Sequence, residues 1–136
     1  MRPVLVSLAL ALVPLAALAE DIGPPLTAAQ FDALTLGKTI TYSAGDTTYG
    51  IEEYRPGRKV VWAFAAGDCE EGDWFQQGEQ ICFDYHNADV GLQCWTFHLQ
   101  GNALVAWFEG KRDGAPLVSL DTSAAPLNCP GPEVGV

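Results

Sequence analysis

Apolar and polar residues alternate along most of the chain after Gly37, and turn residues interrupt this alternation at regular intervals. A period of two predicts β-strands, and regularly spaced turns are typical of all-β domains. Short connections favour an antiparallel meander, either closed into a calycin-like barrel or folded as a sandwich, since both arrangements bury strand edges. The pattern predicts about eight short strands, at Lys38–Ser43, Thr48–Tyr54, Arg58–Phe64, Trp74–Gln77, Gln80–His86, Leu92–Gln100, Ala103–Glu109 and Leu117–Leu120.

One short helix is predicted before the first strand, at residues 28–35. Thr27 and Gln30 have the spacing of a capping box, in which each side chain accepts a hydrogen bond from the other residue's backbone amide. Leu26 and Phe31 occupy the two positions of a hydrophobic staple. We expect this amphipathic helix to lay its apolar side on the β domain.

The dipeptide Gly101-Asn102 is typical of a two-residue hairpin loop and therefore sets the register of the strands around it. The alternation in that register predicts two faces. The apolar face holds Trp95, Phe97, Leu99, Leu104, Ala106 and Phe108, and the opposite face holds Cys94, Thr96, His98, Val105 and Trp107.

The four cysteines predict two disulfides, because an even number in an exported chain usually forms bridges. A zinc site is the alternative, but the chain has no Cys-x-x-Cys pair. Of the three possible connectivities, pairing Cys82 with Cys94 keeps the apolar residues of adjacent strands on one face. Cys69 and Cys129 then pair and tether the C-terminal tail.

Residues 1–19 have the pattern of a secretory signal peptide: Arg2, then an uncharged apolar run, then small residues at Ala17 and Ala19. A membrane anchor is the alternative, but the run is shorter than the roughly 20 residues of a spanning helix. We expect cleavage after Ala19, a single domain at residues 20–136, a periplasmic location and no stable membrane insertion after cleavage.

The chain has 17 acidic and 7 basic residues, and Arg2 is the only charged residue within the predicted signal peptide. A net charge of −10 argues against nucleic acid as a partner, because phosphate binding depends on Lys and Arg. The charge is compatible with a basic protein partner, a cation, or simple solubility.

Aromatic residues are concentrated in the predicted strands, where they are typical core residues. The four tryptophans are many for the core of a single small domain, which suggests that some line a cavity for an apolar or sugar ligand. The candidate ligand-binding residues are Tyr49, Trp62, Trp74, Trp95 and Trp107.

Glu70, Glu71 and Asp73 form an acidic cluster that we expect in an exposed loop between Gly67 and Gly72, available to a basic partner. The spacing does not match a calcium loop. Glu52 and Glu53 point to opposite faces of their strand, so they cannot act on one substrate together.

Catalytic and metal-binding motifs are weak. No serine lies in a Gly-x-Ser-x-Gly motif, and bridged cysteines cannot act as nucleophiles. Asp84, His86 and His98 are the candidates for a metal or catalytic site, but His86 begins a polar loop. The sequence therefore predicts no catalytic residue, metal or cofactor.

Seven segments together resemble an uncharacterised group of small exported, disulfide-containing proteins of α-proteobacteria. The resemblance implies export to the periplasm and implies no activity. The segments are Tyr42-Ser-Ala-Gly, Tyr49-Gly-Ile-Glu-x-Tyr, Gly57-Arg-x-Val-x-Trp-Ala-Phe, Cys69-x-x-Gly-x-Trp, Ile81-Cys-Phe-x-Tyr, Cys94-Trp-x-Phe and Cys129-Pro-Gly-Pro-Glu-Val-Gly-Val.

These observations predict a non-enzymatic periplasmic binding domain whose partner is a small ligand or a basic protein. The first alternative is an acidic inhibitor of a cationic envelope enzyme, by analogy with small periplasmic lysozyme inhibitors. It would use the acidic segment at 67–72. The second alternative is a small hydrolase, which would need a concave site that includes Asp84, His86 or His98.

Overall fold

The computed structural model describes residues 21–64 and 68–129, so the predicted signal peptide at 1–19 lies outside the described residues. Eight antiparallel strands follow one another around a closed barrel, and the last strand pairs with the first. The predicted mainly β class and the antiparallel meander are confirmed. Of the two arrangements predicted, a barrel or a sandwich, the structure is a closed barrel. The elements are α1 (Ala28–Thr35), β1 (Thr39–Ala44), β2 (Thr47–Arg55), β3 (Lys59–Phe64), β4 (Cys69–Gln77), β5 (Gln80–Asp84), β6 (Gln93–Gln100), β7 (Ala103–Phe108) and β8 (Leu117–Ser123).

The predicted hairpin register is confirmed at the β6–β7 pair, where Trp95 lies opposite Phe108 and Leu99 opposite Leu104. Phe97, Leu104 and Ala106 belong to the buried core inside the barrel. The opposite face of these two strands is also largely buried, with Val105 and Trp107 both below one tenth exposed.

The helix α1 closes one end of the barrel. Its capping box is formed by Thr27 and Gln30 as predicted. Phe31 is fully buried, and its ring contacts the rings of Tyr54, Trp74 and Phe97 at centroid distances of 5.5, 5.1 and 4.6 Å. Edge-on and tilted ring contacts of this kind stabilise the packing beyond the area that they bury. This end of the interior is therefore a packed core.

The segment before α1 pairs with β6 beyond Gln80, the first residue of β5. The amides of Gly23 and Leu26 donate hydrogen bonds to the carbonyls of Leu99 and Phe97 at 2.8 and 2.7 Å. The Gly23 carbonyl lies 2.8 Å from Nδ1 of His98, whose ring packs edge-on against Trp107. His98 is thereby buried on the outer face of the barrel.

The C-terminal tail crosses the outer surface from β8 to β4. Thr39 on β1 donates a hydrogen bond to the Ala125 carbonyl at 2.7 Å, and the Leu127 amide donates one to Glu53 on β2 at 2.8 Å. The Cys69–Cys129 disulfide then joins the tail to β4. The tail is therefore attached to three strands.

Both predicted disulfides are present, Cys69–Cys129 and Cys82–Cys94, and the second joins directly opposed residues of β5 and β6. Two disulfides indicate an oxidising, extracytoplasmic environment. Within residues 21–64 and 68–129, no helix is long and apolar enough to cross a membrane.

Candidate functional site

The half of the barrel interior away from α1 is hollow and opens to solvent. Successive connections of a meander alternate between the two ends, so this mouth lies at the β1–β2, β3–β4, β5–β6 and β7–β8 connections. The cavity comprises about 550 Å³ of space free of atoms, part of it open solvent. The centre of a water molecule can move through about 70 Å³ of it. One water needs about 10–15 Å³ by this measure and a cavity that encloses benzene has about 150 Å³, so the enclosed space holds a few waters or part of a ring.

Three aromatic rings form one side of the mouth. The ring of Trp62 lies 5.7 Å from that of Tyr49 and 5.6 Å from that of Phe64. Tyr49 and Phe64 are 39% and 44% exposed, so they form the rim, whereas Trp62 is buried. Trp95 lines the same cavity on β6.

A β-bulge brings Tyr49 to this rim. Tyr42 pairs with Gly50 and the next residue, Ser43, pairs with Thr48, so Tyr49 has no partner on β1. An extra residue of this kind bends the strand and redirects a side chain. The bulge is the reason that Tyr49 joins inward-facing residues of β3.

Glu52 lies at the bottom of the cavity as a buried carboxyl group in largely apolar surroundings. The residue is 2% exposed, and both of its carboxyl oxygens lie 3.0 Å from the hydroxyl of Tyr85, which donates to them. Burial raises the pKa of Glu52 well above its ordinary value, and the hydrogen bond from Tyr85 lowers it only in part. The carboxyl group therefore holds a proton at pH values where an exposed glutamate has lost it.

Gly72 makes room for Tyr85 to reach Glu52. A Cβ atom on Gly72 would lie 2.5 Å from the Asp84 carbonyl oxygen and 2.8 Å from Cδ1 of Tyr85, closer than real Cβ contacts. Tyr85 also stacks parallel to Phe83, with the ring centroids 6.3 Å apart. The position of its hydroxyl is thus fixed by packing on both sides.

Two further tyrosines extend the polar group at the cavity floor. The hydroxyls of Tyr42 and Tyr54 lie 2.8 Å apart, so one donates to the other. Burial is the main cause that raises the pKa of Tyr42, Tyr54 and Tyr85, so all three hydroxyls remain neutral. The floor therefore has one carboxyl and three hydroxyl groups.

Glu70 is a second carboxyl group that faces the cavity, nearer the mouth. Glu52 pairs with Trp62 across β2 and β3, and Trp62 pairs with Glu70 across β3 and β4, so the three residues lie in one transverse row of the sheet. Glu70 also accepts a hydrogen bond from Asn87 at 3.0 Å. Among the described residues that line the cavity there is no lysine, arginine or histidine.

The structure divides the five predicted ligand-binding residues between different places. Tyr49, Trp62 and Trp95 line the cavity. Trp74 lies in the packed core against Phe31. Trp107 lies on the outer face of β7, covered by the guanidinium of Arg112 at 3.9 Å from its ring centroid. Tryptophan suits both a packed strand and the wall of a cavity, so composition alone could not separate them.

The expected acidic loop is instead part of β4, and that expectation was wrong. Gly72 and its acidic neighbours resemble a loop, but Gly72 is small to admit Tyr85, and β4 begins at Cys69. Alternation along the strand turns Glu70 to the cavity and Glu71 and Asp73 to the outer face. The three side chains therefore do not form one acidic surface.

The outward-facing acids of β4 have basic partners. Glu71 lies 3.6 Å from Arg55, and Asp73 is paired with Lys59 and with Nε2 of His86, the latter at 2.8 Å. Lys59 first, and His86 second, lower the pKa of Asp73 below its ordinary value. These pairs partly neutralise the surface that a basic partner would contact.

The candidates for catalytic or metal chemistry do not come together. Asp84 and His86 are neighbours on the surface, with a distance of 3.6 Å between Oδ1 and Nδ1. His98 is buried elsewhere under Gly23. In the described part of the chain, no group of three His, Cys, Asp or Glu residues is suited to hold a metal ion.

No protein-family model, curated protein or solved structure matches this chain. The site is therefore defined by its own geometry. Sequence reasoning missed Glu52, Glu70 and Tyr85 as cavity residues. The alternation of β2 could have indicated that Glu52 faces inward, because Glu52 lies on the same face of the strand as Gly50 and Tyr54.

Proposed function

We propose that the protein binds a small, ring-containing ligand in the open half of the barrel and does not act as an enzyme. The observation that carries this proposal is the aromatic cavity itself. Closed barrels hold ligands when their interior is not filled by side chains. Here α1 fills one end only, and the other end has an apolar lining with a few polar groups at the floor, which is typical of ligand sites.

The size and lining of the cavity define the ligand. A space for a few waters admits part of one aromatic or sugar-sized ring, and the remainder of the ligand lies in the open mouth. Tyr49, Trp62 and Phe64 offer ring faces and edges to such a group. Such aromatic pairs favour offset or edge-on geometry, which gives specificity for flat ligands.

Calorimetric titration of the protein with benzyl alcohol, a one-ring neutral probe, tests the proposal. We expect saturable binding that is lost or at least about tenfold weaker in Trp62→Ala, because this ring forms the wall of the cavity. Trp107→Ala is the matched control, since Trp107 lies on the outer face. Absence of binding by the wild-type protein to this probe and to the charged probes described below would contradict the proposal.

The alternative of an acidic enzyme inhibitor has less support. Glu70 faces the cavity, and Glu71 and Asp73 are paired with Arg55 and Lys59. A pull-down with lysozyme at low salt distinguishes the two functions. The inhibitor proposal requires binding that is lost on charge reversal of Glu71 and is unaffected by Trp62→Ala.

The alternative of a small hydrolase also has less support. Its two candidate histidines are not together, since His86 is exposed and His98 is buried beneath the N-terminal segment.

As the location of the protein we propose the periplasm, since the two disulfides agree with an oxidising compartment and residues 1–19 have the pattern of a signal peptide.

A further inference from the structure

The described residues that line the cavity include acids and no basic side chain. The acids are Glu52 and Glu70. Tyr49, Trp62 and Phe64 line the same cavity, and aromatic rings attract cations that lie over their faces. A ligand with a negative charge is therefore repelled, and one with a positive charge is attracted.

Glu52 lacks the partners that an ionised buried carboxylate needs. A carboxylate offers about four acceptor positions, whereas the hydroxyl of Tyr85 is the one donor that reaches it within the described residues. A buried charge without hydrogen bonds or a counter-ion is costly, so the empty protein keeps this group protonated. The groups around it, Tyr42, Tyr54, Tyr85 and Glu70, are all acids, and none supplies a positive charge.

We propose that the ligand is a small organic cation with one ring and a protonated amine or amidine. Its N–H groups donate hydrogen bonds to the Glu52 carboxylate and to the oxygens of the floor tyrosines, and its ring lies against Trp62. This inference rests on the proposed ligand-binding function and assigns the chemical class of the ligand. A metal ion fits less well, because hard cations need six or more oxygen ligands and this lining is mainly apolar.

The position of Trp62 between two carboxyl groups supports the assignment. Glu52, Trp62 and Glu70 pair across β2, β3 and β4, so the strand on each side of Trp62 contributes an acid to the same cavity. Cations interact most favourably with tryptophan among the aromatic residues. Glu70, which is nearer the mouth, is placed to attract the cation before it reaches Glu52.

Binding of the cation is coupled to proton release. The ligand enters as an ammonium ion and remains one, while the proton of Glu52 passes to the solvent and leaves a carboxylate. The charge in the cavity is thereby balanced, with one proton released for each cation bound if Glu52 is fully protonated beforehand. Affinity for the cation consequently increases with pH until Glu52 is ionised in the empty protein.

Three probes of matched shape test this proposal: benzylamine as the cation, benzyl alcohol as its neutral counterpart and benzoate as the anion. We expect benzylamine to bind at least about tenfold more tightly than benzyl alcohol, and benzoate to bind most weakly. Titration in two buffers of different ionisation enthalpy measures the released protons. Benzylamine is expected to release a proton, and benzyl alcohol none.

Glu52→Gln keeps the shape of the protonated side chain and removes its charge. We expect this variant to bind benzylamine no more tightly than benzyl alcohol and to release no proton. Glu53→Gln is the matched control, since Glu53 faces outward and bonds to Arg55 and Leu127. Glu70→Gln provides a second test that does not perturb the buried floor, and we expect it to weaken benzylamine binding. Glu71→Gln is its control, because Glu71 faces outward on the same strand.

The outcomes separate the two proposals. If benzyl alcohol binds as tightly as benzylamine, the cation assignment fails and the ring-binding function remains. If none of the three probes binds, both proposals fail. A preference for benzylamine that survives both Glu52→Gln and Glu70→Gln would also overturn the assignment of the cation to this row.

Discussion

The indole of Trp62 occupies the space that a side chain on Gly50 would fill: a Cβ atom there would lie 2.2 Å from Cζ2 of the ring. Glycine at position 50 thus allows the tryptophan ring to lie over β2 and form a wall of the cavity. Because Gly50 and Glu52 are on the same face of β2, the ring and the buried carboxyl group are neighbours along the strand direction.

Gly50→Ala is expected to displace Trp62 and destabilise the protein. Overpacking of this kind typically costs about 1–3 kcal/mol. Urea unfolding measures the loss, and a shift in tryptophan fluorescence reports the displaced ring. Gly114→Ala is the control, because a Cβ atom at Gly114 meets no neighbour within 4 Å. Equal stability of the two variants would mean that neither the Trp62 ring nor the Ala63 carbonyl oxygen, 2.8 Å from the added Cβ atom, resists it.

Phe31→Ala is expected to open the packed end of the barrel. Phe31 is fully buried among rings of the core, and truncating such a residue typically costs about 3–5 kcal/mol. Thermal or urea unfolding measures this change, with Phe75→Ala as a control on an exposed ring. A loss no greater than that of the control would mean that α1 is not part of the folded core.

Glu52 is expected to make the protein less stable as the pH rises. Its pKa is raised in the folded state, so between about pH 4.5 and the folded pKa the native protein binds more protons than the unfolded chain. Stability then falls by up to about 1.4 kcal/mol per pH unit from this group. Glu52→Gln removes this dependence.

Urea unfolding of the wild type and of Glu52→Gln from pH 4 to pH 8 measures the effect. The variant should become progressively more stable relative to the wild type as the pH increases. Glu53→Gln serves as the opposite control, because Arg55 lowers the pKa of Glu53 and its stabilisation is lost as the pH falls. A constant difference between wild type and Glu52→Gln would show that Glu52 has an ordinary pKa.

Removal of the Cys69–Cys129 disulfide is expected to cost more stability than removal of Cys82–Cys94. The two bridges enclose sequence separations of 60 and 12 residues. The chain-entropy model gives about 4 and about 3 kcal/mol for loops of these lengths. Unfolding of the two double-serine variants compares them, and the reverse order would mean that the tail adds little constraint to the unfolded chain.

The features of the fold that could be predicted from the sequence are those that depend only on residues close together in the chain. The Gly101-Asn102 turn and the period of two were sufficient for the β6–β7 register, and the capping box was sufficient for α1. These features depend on neighbours within one hairpin or one helical turn. The alternation also predicted the opposed cysteines of β5 and β6.

The candidate site was harder to predict because closure of the barrel decides which face of each strand is enclosed. Glu52 and Glu53 were known to face apart, but only closure shows that Glu52 faces inward. Gly72 resembled a loop residue, although a ring from the adjacent strand requires the glycine. Tyr49 reaches the mouth through a bulge, which has no marker in the alternation.

The tail that crosses β1 and β2 to reach β4 also affects where the barrel can open. The first and last strands, β1 and β8, share six paired positions and the tail passes over their junction, so this seam is held closed. The β7–β8 pair has two such positions, Val105 with Val118 and Ala106 with Leu117. Transient separation of strands, and with it the fastest amide exchange within the sheet, is therefore expected at β7–β8. Leu117 lines the cavity, so this separation is expected to open a second route from solvent to the cavity besides the mouth.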